Sequence, residues 1–289
     1  CVWFALRIAQ GSGFRAQGKS PQPTAQSPEP NRHLMSIKLV ISGCCGRMGR
    51  SIAALALADS AFTVGAALEA AGHESVGHDY GAVLGRPVPL NVLVVDDPRG
   101  AMQRGDVLVE FTVPAVTVEH LQLAQQLGKP MVIGTTGLSE AQIGTLQSAA
   151  KAIPIVFSPN MSVGVNVLFE LAQAAALRLG AAFDVEVVES HHRQKKDAPS
   201  GTAKRLADVL ASARKQPSAS IPVHAVRAGD IVGDHTVIFA GPSERLELTH
   251  RAHNREVFAQ GALRAARFVV GRKPGLYDMS HVLKEATSN

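Results

Sequence analysis

The sequence has 289 residues, enough for two modest domains; 46% of it is hydrophobic and its formal net charge is +5. It has no apolar run near the roughly 18 residues that cross a membrane, and no basic block interleaved with aromatic residues that would indicate nucleic-acid binding. Its three cysteines do not make a disulfide framework, so we expect a cytoplasmic protein that binds neither membrane nor nucleic acid.

Residues 1–34 differ in composition from the remainder. They hold four basic residues against one acid, and residues 11–30 are rich in Gly, Ser, Gln and Pro, which is typical of a disordered segment. We interpret residues 1–34 as a disordered or non-native extension and expect Met35 to be the functional start. A transit peptide is the alternative.

Regular patterning begins after Met35. An apolar strand is predicted over Ile37–Ser42, a helix over residues 50–58, and a second strand over Phe62–Leu68 that ends at Glu69. The order is therefore strand, glycine-rich turn, helix, strand and acid, which is typical of the first unit of a dinucleotide-binding domain.

The turn itself carries three glycines at the spacing GxxGxxG. Gly43 would permit the tight turn, Gly46 would let a pyrophosphate approach the helix N-terminus, and Gly49 would allow close packing. Glu69 would accept hydrogen bonds from a ribose diol. The segment predicts a dinucleotide site; the alternative is a glycine-rich turn made only for packing.

Cys44 and Cys45 lie inside this turn. Adjacent cysteines form only a strained disulfide, and no other cysteine or nearby histidine completes a metal set. We interpret them as small residues of the turn and predict no metal site, with metal or redox chemistry as the alternative.

Strands and helices then alternate. Strands are predicted over residues 88–95, 106–112, 130–133 and 153–157, and helices over residues 114–127 and 140–152. This alternation predicts a parallel, doubly wound sheet, in which ligands lie beyond the carboxyl ends of the strands. The residues that follow two of these strands are Gly134, Thr135 and Thr136, and Ser158, Pro159, Asn160 and Met161. They are predicted to line a nicotinamide pocket; the alternative is two ordinary loops.

The remainder predicts a second domain. A helix over Val163–Leu179 leaves the first sheet, residues 183–188 form a strand, and residues 223–250 read as antiparallel hairpins. A helix over residues 256–270 and a tail over 275–283 follow. The fold class is thus α/β, with a Rossmann-type doubly wound parallel sheet plus a second α+β domain that has a mixed or antiparallel sheet.

A strand-to-helix loop over residues 189–203 concentrates the chemistry. Five groups that are or can become cationic fall within six positions: His191, His192, Arg193, Lys195 and Lys196. Ser200, Gly201 and Thr202 follow at the predicted start of a helix, where free N–H groups and the helix dipole favour an anion. The loop predicts a site for a small anionic molecule with proton donors; the alternative is a basic surface loop.

Four motifs in this order resemble the 4-hydroxy-tetrahydrodipicolinate reductase (dihydrodipicolinate reductase) family. They are Gly43-Cys-Cys-Gly-Arg-Met-Gly49, Gly134-Thr-Thr-Gly137, Asn160-Met-Ser-Val-Gly-Val-Asn166 and Glu189-Ser-His-His-Arg-Gln-Lys-Lys-Asp-Ala-Pro-Ser-Gly-Thr202. The resemblance covers about residues 35–282. It implies NAD(P)H-dependent hydride transfer to a cyclic imine dicarboxylate, giving tetrahydrodipicolinate in lysine and diaminopimelate biosynthesis, by a homotetramer.

The resemblance also implies roles for individual residues. His191 would be the acid/base, Lys195 the proton donor, and His192, Gly201 and Thr202 the substrate-binding residues. The cofactor contacts would be Gly43, Cys44, Cys45, Gly46, Arg47, Met48, Glu69, Gly134, Thr135, Thr136, Ser158, Pro159, Asn160 and Met161. The implied division is a dinucleotide-binding domain at 35–162, a substrate-binding and oligomerisation domain at 163–254, and a C-terminal helix and tail at 255–289 that return to the first.

Two departures from the family pattern bear on the cofactor. Ala70 follows Glu69 where an arginine often stands to hold the 2′-phosphate of NADPH, so we expect a preference for NADH. Some members place an aromatic residue at the position of Met161, which puts stacking on the nicotinamide in doubt there. The rival functions are another small-dicarboxylate or amino-acid dehydrogenase and a non-catalytic dinucleotide sensor.

Overall fold

The computed structural model describes residues 36–285. The interpretation of residues 1–34 therefore lies outside the described residues. In chain order the strands are β1 Ile37–Ser42, β2 Phe62–Leu68, β3 Val94–Val95, β4 Val107–Glu110, β5 Met131–Ile133, β6 Pro154–Phe157, β7 Asp184–His191, β8 Val223–Arg227, β9 Asp234–Ala240, β10 Arg245–Arg251 and β11 Gly275–Tyr277. The helices are α1 Arg47–Leu57, α2 Tyr80–Val83, α3 Pro98–Gln103, α4 Pro114–Leu127, α5 Glu140–Ala149, α6 Val163–Leu179, α7 Gly201–Arg214, α8 Glu256–Val269 and α9 Met279–Glu285.

The first sheet has seven parallel strands in the order β11-β6-β5-β4-β1-β2-β3. Its strands are buried on both faces because helices cover both sides, which is why they read as continuous apolar runs. The strand order reverses direction between β1 and β4, so the carboxyl ends of these two strands open a crevice at the switch point. The predicted Rossmann-type sheet is confirmed.

The second sheet has four strands in the order β10-β9-β7-β8. Strand β7 pairs antiparallel with β9 and parallel with β8, so the predicted mixed sheet is also confirmed. Helices α6 and α7 pack on one of its faces around a core that includes Leu168, Leu206, Leu210, Val187 and Phe239. The sheet carries the cation-rich loop between β7 and α7.

Helix α6 is more apolar than the sequence analysis expected. The segment Val163–Ala182 is long and apolar enough to cross a membrane by length and composition alone, which corrects the expectation that no stretch approaches that length. Leu168, Ala172 and Ala176 of this helix are buried in the second core. Its other side leaves Leu171 and Leu177 exposed.

Several predicted bounds agree with the structure and others do not. The predictions for β1, β2, α4 and α6 match residue for residue. The strand predicted over residues 88–95 shrinks to Val94–Val95, because Pro87 and Pro89 lack the N–H that a ladder needs and Asn91 has a φ of 57°.

The second domain differs from prediction in its pairing. Residues 189–191 belong to strand β7 and not to the loop that follows it. Strand β8 does not form a hairpin with β9, since it pairs parallel with β7; only β9 and β10 form the predicted hairpin. The tail supplies β11, which joins the first sheet beside β6, and α9.

Candidate active site

The glycine-rich turn lies between β1 and α1, at the switch-point crevice. Gly43 has a φ of 68°, a conformation that glycine adopts readily. A Cβ at Gly49 would lie 2.3 Å from the carbonyl oxygen of Gly43, so this glycine lets the helix pack against the turn. Helix α1 starts at Arg47 with Gly46 as its N-cap and no side-chain cap. Its first N–H groups can therefore bind a phosphate, and the residues present fit a dinucleotide.

Glu69 is held against this turn. It follows the last residue of β2, and its Oε2 accepts a hydrogen bond of 2.9 Å from the backbone N–H of Cys45. Its Oε1 accepts one of 3.0 Å from the N–H of Ala70. The structure thus brings the predicted ribose-binding acid to the predicted phosphate-binding turn.

The two cysteines of the turn have an acidic neighbour that the sequence analysis did not foresee. The Sγ atoms of Cys44 and Cys45 lie 3.7 Å apart, and together with a Glu69 carboxylate oxygen these ligand atoms fall within 4.8 Å of one another. Burial raises the pKa of the Cys44 thiol, and the neighbouring Cys45 adds to the effect. A thiol that stays protonated is a poor metal ligand.

The loops after β5 and β6 reach the same edge of the sheet, but not all of their side chains face outward. Thr135 is buried, and its Oγ1 accepts hydrogen bonds from the N–H of Thr112 and the hydroxyl of Thr117. Met161 is also buried in the first core. Gly134 lies against the ring of Phe111, which a Cβ would approach to 2.1 Å.

A buried polar pair at the switch point escaped the sequence analysis. Glu110, the last residue of β4, is fully buried, and its Oε2 lies 2.7 Å from Nδ1 of His120 in α4. The other carboxylate oxygen accepts a hydrogen bond from the Thr112 hydroxyl. Because Thr112 lies against Gly43, the pair supports the loop beside the turn. The sequence signal was an acid at the end of an otherwise apolar strand.

The second group of site residues centres on His191, the last residue of β7. Its Nδ1 lies 2.5 Å from Oε2 of Glu189, two positions earlier on the same face of the strand. Glu189 is fully buried and His191 is 7% exposed. Burial lowers the pKa of His191, with Lys195 and Arg227 adding to the effect and Glu189 opposing it. The imidazole is therefore neutral at neutral pH, with Nδ1 as the donor to the carboxylate.

Glu189 is charged in spite of its burial. Arg227 donates to both of its oxygens, at 2.9 and 2.8 Å, and the backbone N–H of Ser200 donates to Oε1 at 3.0 Å. Burial alone would raise the pKa of Glu189, but the hydrogen bonds from Arg227, His191 and Ser200 outweigh it and the pKa is lowered. Neither Glu189 nor Arg227 was predicted as a site residue.

Lys195 lies in the loop that follows. Its Nζ forms an ion pair of 2.8 Å with Oδ1 of Asp197, and the hydrogen bond from Lys195 lowers the pKa of that aspartate. His192 is half-buried next to His191, and its buried Nδ1 has no hydrogen-bond partner among the described residues. A histidine nitrogen of this kind suits a carboxylate ligand.

The start of α7 completes the site. Ser200 is the N-cap and its Oγ accepts from the N–H of Ala203, so Gly201 and Thr202 form the first turn, as predicted. The Asn160 amide donates to Oγ1 of Thr202 at 3.0 Å. This bond joins the loop after β6 of the first sheet to helix α7, which follows strand β7 of the second sheet. The residues predicted to bind the cofactor therefore meet those predicted to bind the substrate.

His235 lies behind His191 and was not predicted. The two rings pack edge to face, with centroids 5.2 Å apart, and Nε2 of His235 lies 3.3 Å from Oγ of Ser200. Burial lowers the pKa of His235 to about 4. His235 is therefore uncharged at neutral pH and packs against His191 without adding charge to the site.

Comparison with known proteins gives a consistent result over the described chain. Residues 37–161 match a family model described as dihydrodipicolinate reductase, N-terminus, and residues 164–283 match the corresponding C-terminus model. Two relatives described as 4-hydroxy-tetrahydrodipicolinate reductase are those of Aromatoleum aromaticum, 43% identical over 89% of this chain and 99% of the relative, and of Anaeromyxobacter sp. strain Fw109-5, 47% identical over 86% and 97%.

Solved structures agree with this similarity. A dipicolinate-bound dihydrodipicolinate reductase from Paenisporosarcina sp. TG-14 superimposes with a TM-score of 0.70 and 26% identity, covering 84% of this chain and 98% of that one. An amine dehydrogenase from Mycobacterium smegmatis shares the fold with a TM-score of 0.56 at 15% identity.

Proposed function

Because the chain belongs to the dihydrodipicolinate reductase family, we propose that His191 and Lys195 handle the protons of its reaction. The function is that of the family, the NAD(P)H-dependent reduction of 4-hydroxy-tetrahydrodipicolinate to tetrahydrodipicolinate in diaminopimelate and lysine biosynthesis. The protein is therefore an oxidoreductase of amino-acid biosynthesis.

The observation that carries the assignment of roles is the geometry around the end of β7. A buried histidine with an oriented tautomer lies at the strand end, and a lysine follows four positions later. The N-terminus of α7 lies close by, since the N–H of its cap Ser200 donates to Glu189. His192, Gly201 and Thr202 are the proposed contacts of the substrate carboxylates, since cations and a helix N-terminus favour anions. This arrangement suits a small dicarboxylate next to a proton donor.

The mechanism follows from where charge develops. Loss of the 4-hydroxyl of the substrate as water gives a conjugated ring, to which the reduced nicotinamide, when bound, would supply hydride. Negative charge then develops toward the ring nitrogen, where the Lys195 ammonium stabilises it and donates a proton. The Nδ1 of the neutral His191 is held by Glu189, which leaves Nε2 to exchange a proton. General acid help of this kind contributes about a hundredfold or more in rate.

The dinucleotide is proposed to lie across the switch-point crevice. The proposed contacts are the turn at Gly43, Cys44, Cys45, Gly46, Arg47 and Met48, the ribose acid Glu69, and the loop residues Gly134, Thr135, Thr136, Ser158, Pro159, Asn160 and Met161. Thr135 and Met161, whose side chains are buried, would contribute through their main chain. The open N-terminus of α1 supports the phosphate position.

We further propose a preference for NADH over NADPH. Glu69, the proposed ribose acid, is followed by Ala70, Ala71 and Gly72, so the acid would repel a 2′-phosphate without a cation at these positions to compensate. The ratio of kcat/KM for the two cofactors measures this. A70R should shift the ratio toward NADPH, and equal efficiency of the wild type with both cofactors would contradict the proposal.

The assembly is proposed to be a homotetramer formed through the second domain. The face of the four-stranded sheet opposite α6 and α7 carries Val188, Val226 and Ile238 among polar and charged residues, which include Glu186, His224, Thr236 and Glu247. A sheet face of this mixed kind can pack against the same face of a second chain. Light scattering after size exclusion should give four chains, and I238D should reduce the mass to that of a smaller species; an unchanged mass would contradict this interface.

We propose the same division of the chain into domains that the sequence resemblance implies. Residues 35–162 would bind the dinucleotide, residues 163–254 the substrate, and residues 255–289 would return to the first domain, as β11 does when it pairs with β6. We place the protein in the cytoplasm, where this pathway has its substrates.

The decisive experiment follows oxidation of reduced nicotinamide by absorbance. The substrate is formed in situ from pyruvate and aspartate semialdehyde by the preceding synthase. We expect oxidation that depends on both precursors and falls at least about a hundredfold in H191A and in K195A. Oxidation that persists in both variants, or that does not depend on the precursors, would overturn the assignment of His191 and Lys195.

A further inference from the structure

We infer that Arg227 is a positioning residue for this reaction, because one guanidinium holds both the carboxylate that orients His191 and the main chain of the aspartate that pairs with Lys195. The inference rests on the proposed roles of His191 and Lys195. It assigns a function to a residue of β8, far in sequence from the loop that carries the chemistry.

The first half of the argument concerns Glu189. Both terminal nitrogens of Arg227 donate to it, Nη1 to Oε2 at 2.9 Å and Nη2 to Oε1 at 2.8 Å. This fork-to-fork geometry is the strong, directional form of the arginine–carboxylate pair. Because Oε2 also accepts from His191 at 2.5 Å, the plane of the carboxylate fixes the orientation of the imidazole.

The second half concerns the loop. Nη2 of Arg227 also donates to the main-chain carbonyl of Asp197 at 2.6 Å. The side chain of Asp197 forms the 2.8 Å ion pair with Lys195. The guanidinium thus fixes the main chain of Asp197, whose side chain holds Lys195. The positions of His191 and Lys195 therefore both depend on Arg227.

The parallel pairing of β7 and β8 explains why an arginine can do this. His191 is opposite Arg227 in the register of the two strands, so the arginine stem runs alongside β7 and its head reaches Glu189. The side chain is 18% exposed and Glu189 is fully buried. A lysine there would keep the charge but could not bind both oxygens and the carbonyl in one plane.

The electrostatic consequence can be measured separately from the geometry. Four groups face or adjoin His191: Glu189 on its own strand, Arg227 on β8, His235 on β9 and Lys195 from the loop. The positive charges of Arg227 and Lys195 lower the pKa of His191. Removing the charge of Arg227 should therefore raise that pKa, whereas an exchange to lysine should leave the charge contribution in place.

The test compares R227K and R227M in the full-length enzyme, with R245K as the matched control. Arg245 also pairs with a glutamate in the same sheet, but at an exposed position. We expect kcat to fall about 10- to 100-fold in R227K and R227M, as for a misplaced catalytic group, with dinucleotide affinity unchanged. The histidine inflection of the pH–rate profile should move to higher pH in R227M and not in R227K.

A double-mutant cycle separates positioning from a general structural role. If Arg227 acts through His191 and Lys195, R227K should cost less in the H191N background and in the K195A background than in the wild type. Equal losses in all three backgrounds, or a wild-type kcat in R227K, would overturn the inference. A wild type without reductase activity would instead refute the proposed function, so the two failures are distinguishable.

Discussion

His235 makes the stability of the protein depend on pH. The side chain is 3% exposed, and burial, followed by the positive charge of a protonated His191, lowers its pKa from 6.5 to about 4. The unfolded chain therefore binds more protons than the folded chain between these two values. The stabilisation is fully present above the unfolded pKa and is lost as the pH falls toward the folded pKa.

The size of the effect follows from the shift. A change from 6.5 to about 4 corresponds to about 3 kcal/mol between the two protonation states. Linkage then predicts a loss of about 2 kcal/mol of unfolding free energy between about pH 7 and pH 4.5. Burial also lowers the pKa values of His191 and His250, so they contribute with the same sign.

The assay is urea unfolding followed by circular dichroism at these two pH values, at fixed ionic strength and protein concentration. H235Q keeps a polar nitrogen near Ser200 but does not titrate, so its loss of stability with falling pH should be smaller by about 2 kcal/mol. The exposed His253 provides the control, and H253Q should behave as the wild type does. The same pH dependence in H235Q and wild type would refute the reasoning.

Three further predictions concern packing and hydrogen bonds. G49A should abolish dinucleotide binding in a fluorescence titration, because its Cβ would meet the Gly43 carbonyl. G144A is the control, since a Cβ there meets open space in helix α5. It should bind the dinucleotide normally and raise the unfolding free energy by about 0.5–1 kcal/mol. Y80F should lower the unfolding free energy by about 1–3 kcal/mol in a urea titration, since the buried hydroxyl donates to the Cys44 carbonyl at 2.8 Å. N160A should raise the KM of the substrate more than that of the dinucleotide in steady-state assays, because it removes the bond to Thr202.

The sequence predicted correctly those parts of the structure that depend on neighbouring residues in the chain. The glycine-rich turn, the strands on either side of it and the first turn of α7 depend on glycine spacing, apolar runs and a serine cap, all of which can be read within about ten residues. The strand predicted over residues 88–95 was wrong in its length, because Pro89 and Asn91 interrupt the segment and leave only Val94–Val95 in the sheet.

The residues that support the site were missed for a different reason. Arg227 reaches Glu189 across 38 positions of sequence, through a parallel strand pair, and the sequence predicted β8 to form a hairpin with the next strand instead. Glu189 did carry a signal, since a carboxylate two positions before a histidine on a strand faces the same side. His235 carried none, because an isolated histidine in an alternating strand does not reveal whether it is buried.

The number of cations in the loop overstates the positive charge that a substrate meets. His191 is neutral at neutral pH, and Lys195 is compensated by Asp197. Among residues 36–285, Arg193 and Lys196 are exposed and have no ion pair. In the proposed site, the attraction for a dicarboxylate would therefore come from these two side chains, from His192 and from the N-terminus of α7, while the buried pairs would set the geometry of proton transfer. It follows that added salt should weaken substrate binding, through screening of the exposed charges, much more than it slows the chemical step.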